Sequence, residues 1–102
     1  MNAQIKKGIL EMCILYLLSQ EDYYGYPLMQ KMKSYFPDVD ESTFYAILRR
    51  IYKEGLASIY EGKESNGPSR KYYHLTVSGQ EMLRQHISDW EQMKEIMLDI
   101  GL

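Results

Sequence analysis

A single cysteine, Cys13, leaves this 102-residue chain without an intramolecular disulfide. Its neighbours Met12 and Ile14 suggest a packed thiol rather than a nucleophile. No stretch reaches the ~18 consecutive apolar residues of a membrane span, so no membrane partner is expected. The first residues, MNAQIKKGILEMCILYLLSQ, begin like a signal peptide. Glu11 interrupts their apolar run and no small-residue cleavage site follows, so the expectation is a helix of a cytoplasmic protein. His74 and His86 have no metal-ligand spacing with each other or with Cys13, and no metal is expected. A glycine-rich phosphate loop, a nucleophile with its base and clustered carboxylates are all missing. That excludes an enzyme reading and gives no reason to expect a cofactor. Internal repeats and low-complexity tracts are absent as well.

What is present is a 45% hydrophobic chain, enough for one core but marginal alone, so that dimerisation would help it. A net charge of −2 argues by itself against a nucleic-acid partner, but the charge is unevenly spread. Residues 42–74 carry six cations against three carboxylates, residues 76–102 two against five, and residues 1–41 four against six. A locally basic face matters more to a polyanion than the total does.

Apolar residues recur at helical spacing from Gln4 to Ser19, with Ile5, Ile9, Met12, Cys13, Tyr16 and Leu17 widened by Leu10, Ile14 and Leu18. Gln20 to Asp22 reads as a loop. A second helix is predicted from Tyr24 to Phe36, with Leu28, Met32 and Tyr35 on its apolar side and Pro37 ending it. A third, capped by Asp40 or Ser42, runs to about Glu54 with Phe44, Ile47, Leu48 and Ile51 on one side, and Gly55 suits a left-handed C-cap. Residues 56–61 and 70–75 alternate as two strands around the turn signal Asn66-Gly67-Pro68. Thr76 caps a last helix to about Ile100, whose seam is Met82, Leu83, Ile87, Trp90, Met93, Met97 and Ile100. A helix of that length overhangs a domain this small, and a second copy of the chain is the simplest cover for its seam.

The fold class expected is therefore mainly α with a small β-hairpin: a winged helix-turn-helix over residues 1–76, and a dimerisation helix over residues 77–102. In such folds the third helix enters the DNA major groove. Ser42, Thr43 and Tyr45 at its start bring hydroxyls and free N–H groups to phosphate, and Arg49 lies on the side of Tyr45. Arg50 is one step round, free to bond backbone carbonyls near the wing instead. On the wing, Lys63, Ser69, Arg70 and Lys71 are candidates for phosphate, with Tyr72 and Tyr73 anchoring the strand and at least one of them in the core.

The chain resembles the PadR family of transcriptional regulators, in the short form with a single C-terminal helix. The resemblance is carried by Tyr24-Gly25-Tyr26 with Leu28, by Ser42-Thr43-Phe44-Tyr45, by Leu48 with Arg50, and by Gly55-Leu56. Its most specific stretch is Gly67-Pro68-Ser69-Arg70-Lys71-Tyr72-Tyr73, continuing to Leu75-Thr76 and Gly79; Trp90 completes it. Departures are Phe44-Tyr45-Ala46, where members often have Leu-Tyr-Pro, and Tyr52, where they often have an acid. The resemblance implies a homodimeric repressor on a pseudo-palindromic operator in double-stranded DNA. It also implies a central pore for a planar hydrophobic small-molecule effector, with Trp90 at its heart and Met12, Tyr16, Ile87, Met93 and Lys94 as candidate lining. Leu83, Ile87, Trp90, Met97 and Ile100 would then form the dimer interface.

Each of these assignments has a plainer alternative. Arg70 and Lys71 would also suit a solvated hairpin, Ser42 and Thr43 simple capping, and Tyr45 core packing. Trp90 would serve as an interface residue without any ligand. Lys6 and Lys7 read as the solvated end of the first helix, with phosphate contact the lesser reading. The acidic total charge keeps open a different function, a winged-helix module for protein–protein contact that binds no DNA.

Overall fold

The computed structural model describes residues 3–63 and 67–102. Asn66 of the predicted turn and the side chain of Ile5 lie outside what is described. Seven elements follow in order: α1 (Ala3–Gln20), β1 (Tyr23–Tyr24), α2 (Gly25–Tyr35), α3 (Glu41–Lys53), β2 (Ala57–Lys63), β3 (Ser69–Leu75) and α4 (Val77–Ile100). The expected fold class is met, with one addition. The hairpin β2–β3 gains a third antiparallel strand, β1, and the sheet order is β1-β3-β2. Tyr23, which falls between the predicted loop and the predicted second helix, and Tyr24, read as the start of that helix, pair with Tyr73 and Tyr72. Two residues are too few to show an alternating pattern, which is why β1 was not foreseen.

The core lies where α1, α2 and α3 meet the sheet. Leu10, Ile14, Leu15, Leu28, Met29, Met32, Phe44, Leu48 and Ile51 are fully buried there. Each side chain of this size contributes roughly 1.5–3 kcal/mol by leaving water. The predicted apolar side of α3 (Phe44, Ile47, Leu48, Ile51) is the buried side. On α2 the buried set is Leu28, Met29 and Met32, and Tyr35 is exposed instead. It stands at the last residue of α2, where the helix leaves the core. Asp40 occupies the N-cap position of α3 without a side-chain bond to the helix, and Ser42 lies inside the first turn.

Two junctions aim the wing and the last helix. Gly55 takes φ +75° after α3, a conformation that costs a side-chain-bearing residue energy and glycine very little. Leu56 N then bonds Ile51 O at 2.9 Å, and Leu56 O accepts from Thr76 N at 3.0 Å. Thr76 caps α4 through its hydroxyl, which accepts from Gly79 N at 3.0 Å and donates to Gly55 O at 2.7 Å. Gly79 is buried so tightly that a Cβ would run into the Leu56 carbonyl oxygen and the Leu75 side chain. α4 then runs away from the body, and the chain measures 55 × 30 × 22 Å along its principal axes.

Candidate nucleic-acid interface

The side of α3 opposite the core carries Ser42, Thr43, Tyr45, Ala46 and Arg49, all exposed. Periodicity alone explains the division: burying Phe44, Ile47, Leu48 and Ile51 leaves these positions outward. Tyr45 is 40% exposed, with its ring edge crossing the start of α2 close enough that a Cβ on Gly25 would sit 3.4 Å from it. Core packing is therefore not its environment.

Arg50 departs from expectation. Its Nη2 donates to Glu11 Oε1 at 2.7 Å, and its Nε lies 4.0 Å from Glu54 Oε1 on the next turn. The bond is to a carboxylate on α1 and not to backbone carbonyls near the wing. Together with Lys6, Lys7, Leu10, Ser42, Thr43, Ala46 and Ile47, Arg50 lines a recess of about 470 Å³ between α1 and the first turns of α3. The structure thus brings Lys6 and Lys7, read as a solvated helix end, beside two of the predicted hydroxyls.

Glu11 is the residue that sequence reasoning missed. Its other oxygen, Oε2, lies 2.6 Å from His86 Nε2 on α4. Burial alone would raise its carboxyl, but the hydrogen bonds from His86 and Arg50 outweigh that and hold it below the ordinary value of 4.5. A charged residue inside an apolar stripe was the available signal; its partners stand 39 and 75 residues away along the chain.

On the wing the register sets Lys63 opposite Ser69, Gly62 opposite Arg70 and Glu61 opposite Lys71. Alternation divides β3 as expected. Tyr73 and Leu75 face the core, and Tyr73 is the anchoring tyrosine. Tyr72 lies on the outer face, stacked on Tyr60 with ring centroids 5.5 Å apart and meeting Tyr24 edge-on at 5.5 Å. Gly62 makes room for this stack, since a Cβ there would stand 2.7 Å from the Tyr72 ring. Arg70 is half-buried on that face, its guanidinium 5.6 Å from the Tyr24 ring centroid, while Lys63, Ser69 and Lys71 are exposed. At the foot of the sheet Asp22 accepts from Tyr60 Oη at 2.6 Å and contacts His74 Nδ1 at 2.8 Å.

A second, apolar groove of about 520 Å³ lies on another side of α1, between α2 and α4. It collects Met12, Tyr16, Ile87 and Trp90, as named from sequence, and adds Cys13, Leu17, Met32, Tyr35, Phe36 and Glu91. Cys13 and Leu17 lie one step round α1 from Met12 and Tyr16, a spacing that could have found them. Met93 and Lys94 do not line it; Lys94 Nζ sits 3.3 Å from Glu91 Oε2 and 5.8 Å from the Trp90 ring centroid. Burial pushes the Cys13 thiol up, so it stays protonated at neutral pH. Leu83, expected at a dimer interface, is 7% exposed and belongs to the chain's own core. Ile87, Trp90, Met97 and Ile100 are exposed. Among the described residues no group of three or more His, Cys, Asp or Glu side chains could hold a metal ion, and no helix is long and apolar enough to cross a membrane.

The chain is similar to known proteins over nearly its whole length. The profile of the transcriptional regulator PadR-like family matches residues 14–85, a span from the middle of α1 through the sheet to the first part of α4. An uncharacterized protein of Lysinibacillus sphaericus is 32% identical over 99 residues, covering 94% of this chain and 91% of that one. The crystal structure of a PadR-like transcriptional regulator from Bacillus cereus matches with a TM-score of 0.86 at 39% identity, over 96% of each chain. That of a PadR-like transcription factor from Bacteroides fragilis matches with a TM-score of 0.80 at 35% identity, over 97% of this chain and 96% of the other. With its winged head, its exposed α3 face and its projecting α4, this chain belongs to the PadR-like family, whose members are DNA-binding transcriptional regulators and not enzymes.

Proposed function

We propose that the chain acts in the cytoplasm as a homodimeric repressor. Residues 1–76 hold DNA and residues 77–102 pair the subunits. Each α3 enters a major groove of a pseudo-palindromic operator, with Ser42, Thr43 and Tyr45 near phosphate and Arg49 within reach of phosphate or guanine edges. Lys63, Ser69, Arg70 and Lys71 follow the backbone beside it, and Arg50 lies behind Ser42 and Thr43. A planar hydrophobic effector enters the apolar groove against Trp90 and changes the spacing of the two heads. The observation that carries the reading is the outward side of α3, polar and bearing Arg49, together with a wing that exposes Lys63, Ser69 and Lys71.

The decisive experiment is selection from a random duplex library at near-physiological salt, with sequencing of what is retained. An inverted repeat with half-sites about one helical turn apart is expected. Binding to nothing would instead favour a winged-helix module for protein partners. Arg70→Ala with Lys71→Ala should weaken binding to every duplex and flatten the dependence of log affinity on log salt by roughly 0.9 per lost phosphate contact. An unchanged affinity and slope would remove the wing from the interface. For the effector, Trp90 is the only tryptophan, so its emission reports on the groove. A saturable change with planar aromatic compounds is expected; none across a diverse panel would remove the effector.

A further inference from the structure

Among the described residues Glu11 is the buried charged side chain, 9% exposed, and DNA binding as set out above gives it no task. An ionised carboxylate in such a place is costly unless paired, and an apolar residue would continue the stripe of α1 between Leu10 and Ile14. Its two oxygens are committed to two different helices: Oε1 to Arg50 Nη2 of α3 at 2.7 Å, and Oε2 to His86 Nε2 of α4 at 2.6 Å. The two partners lead toward different clefts, Arg50 as a lining residue and His86 through its neighbours on α4. Arg50 lines the cationic recess with Lys6, Lys7, Ser42 and Thr43. His86 lies one helical turn before Trp90, on the same side of α4, and Trp90 lines the apolar groove.

We propose that Glu11 is a positioning residue for DNA binding: it fixes the Arg50 guanidinium in the recess and ties that position to His86, so that α4 and the DNA-facing end of α3 move together. This rests on the DNA-binding reading above. A guanidinium has five donors in a fixed fork, so holding Nη2 orients the rest toward the recess, where a backbone phosphate would meet Lys6, Lys7 and the two hydroxyls. Without Glu11, the carboxylate that remains near Arg50 among the described residues is Glu54, on its own helix at 4.0 Å from Nε, and the fork would turn toward it. A displacement of α4 pulls His86 from Oε2 and loosens the carboxylate that holds Arg50. By reciprocity, a phosphate on Arg50 changes the surroundings of Trp90.

The test uses the full chain, its selected duplex, and the variants Glu11→Gln, His86→Gln and the double variant. Duplex affinity and Trp90 emission are read in the same titration, with thermal melting to verify folding. The unaltered chain should change its Trp90 emission as duplex binds. Each single variant should bind roughly three- to tenfold more weakly and lose most of that emission change, and the double variant should bind no more weakly than Glu11→Gln, because both substitutions break one bridge. Unchanged affinity in folded single variants, a persisting emission change, or effects that multiply in the double variant would each overturn the proposal. If Glu11→Gln does not fold, His86→Gln, at a half-buried position, decides it by the same two readings. Failure of the unaltered chain to bind any duplex would overturn the DNA reading itself. Binding by the unaltered chain that Glu11→Gln and His86→Gln leave intact would overturn only the role of Glu11.

Discussion

The two halves of α4 share one helical period and one apolar seam, yet they belong to different environments. From Val77 to His86 the helix is fastened: Thr76 caps it, Gly79 is pressed against Leu56, Leu83 is buried, and His86 reaches Glu11. From Ile87 to Leu102 every residue is exposed, among them Ile87, Trp90, Met93, Ile96, Met97, Leu98 and Ile100. The side chains do not become more polar at the boundary; the neighbours run out. At 1.5 Å per residue the helix is about 36 Å long, and the head supports less than half of it. Large contiguous apolar surfaces rarely stay open to water in a monomeric protein, and Ile87, Trp90 and Met97 recur along the helix at seam spacing. The outer half is thus the surface on which the proposed second copy would seat.

The largest effects are expected in the fastened half. Gly79→Ala forces a Cβ onto the Leu56 carbonyl, which is itself bonded to Thr76 N and cannot retreat cheaply. It should cost more than about 3 kcal/mol, and Leu83→Ala about 2–4 kcal/mol. Leu98→Ala, at the same kind of residue on the outer half, should change the stability of the head by about 0.5 kcal/mol or less. Urea denaturation of the three variants at one protein concentration measures the contrast. Equal losses at Leu83 and Leu98 would mean that the helix is fastened along its whole length.

The outer half should respond to charge. Met97→Glu with Ile100→Glu puts carboxylates where a partner helix would close the seam. It should weaken self-association by at least about 2 kcal/mol while leaving the head folded. Sedimentation across a range of concentrations reads the first and far-ultraviolet dichroism the second. A species of unchanged mass in the double variant would move the interface elsewhere.

That division was only partly legible in the sequence. The element order, the core side of α3, the left-handed Gly55 and the Thr76 cap follow from short-range signals: helical period, glycine after a helix, a hydroxyl before one. The assignment of Leu83 to a partner went wrong for a physical reason. Period shows which side of a helix is apolar, but not whether the chain's own core or another molecule covers it. Arg50 and Glu11 were beyond reach for a related reason. A salt bridge between positions 39 residues apart leaves no local pattern, and its carboxylate looked like an interruption of an apolar stripe. Pairing of Tyr23 and Tyr24 with β3 was equally hidden, because the ladder partner and not the dipeptide makes the strand.

The smallest expected effect lies in the acid limb of stability, and it separates the fastening at Glu11 from a similar-looking cluster on the sheet. Glu11 is held below 4.5 because its bonds to His86 and Arg50 outweigh its burial. Asp22 is held below 3.8 in the same way, its bonds to Tyr60 and His74 outweighing a slight burial. A carboxylate whose folded value is lowered binds fewer protons than the unfolded chain does. Its stabilisation is complete above the unfolded value and is lost as pH falls through the folded one. For Glu11 the loss therefore begins near pH 4.5 and continues below it; for Asp22 it begins near pH 3.8. Glu11→Gln should flatten the fall of thermal stability below pH 4.5, and Asp22→Asn should flatten it less, because water and salt screen the exposed cluster. Melting curves between pH 3 and pH 7 at two salt concentrations test both. If added salt erased the Glu11 contribution as readily as that of Asp22, the carboxylate would be behaving as a surface group, and the fastening of α4 would rest on Thr76, Gly79 and Leu83 alone.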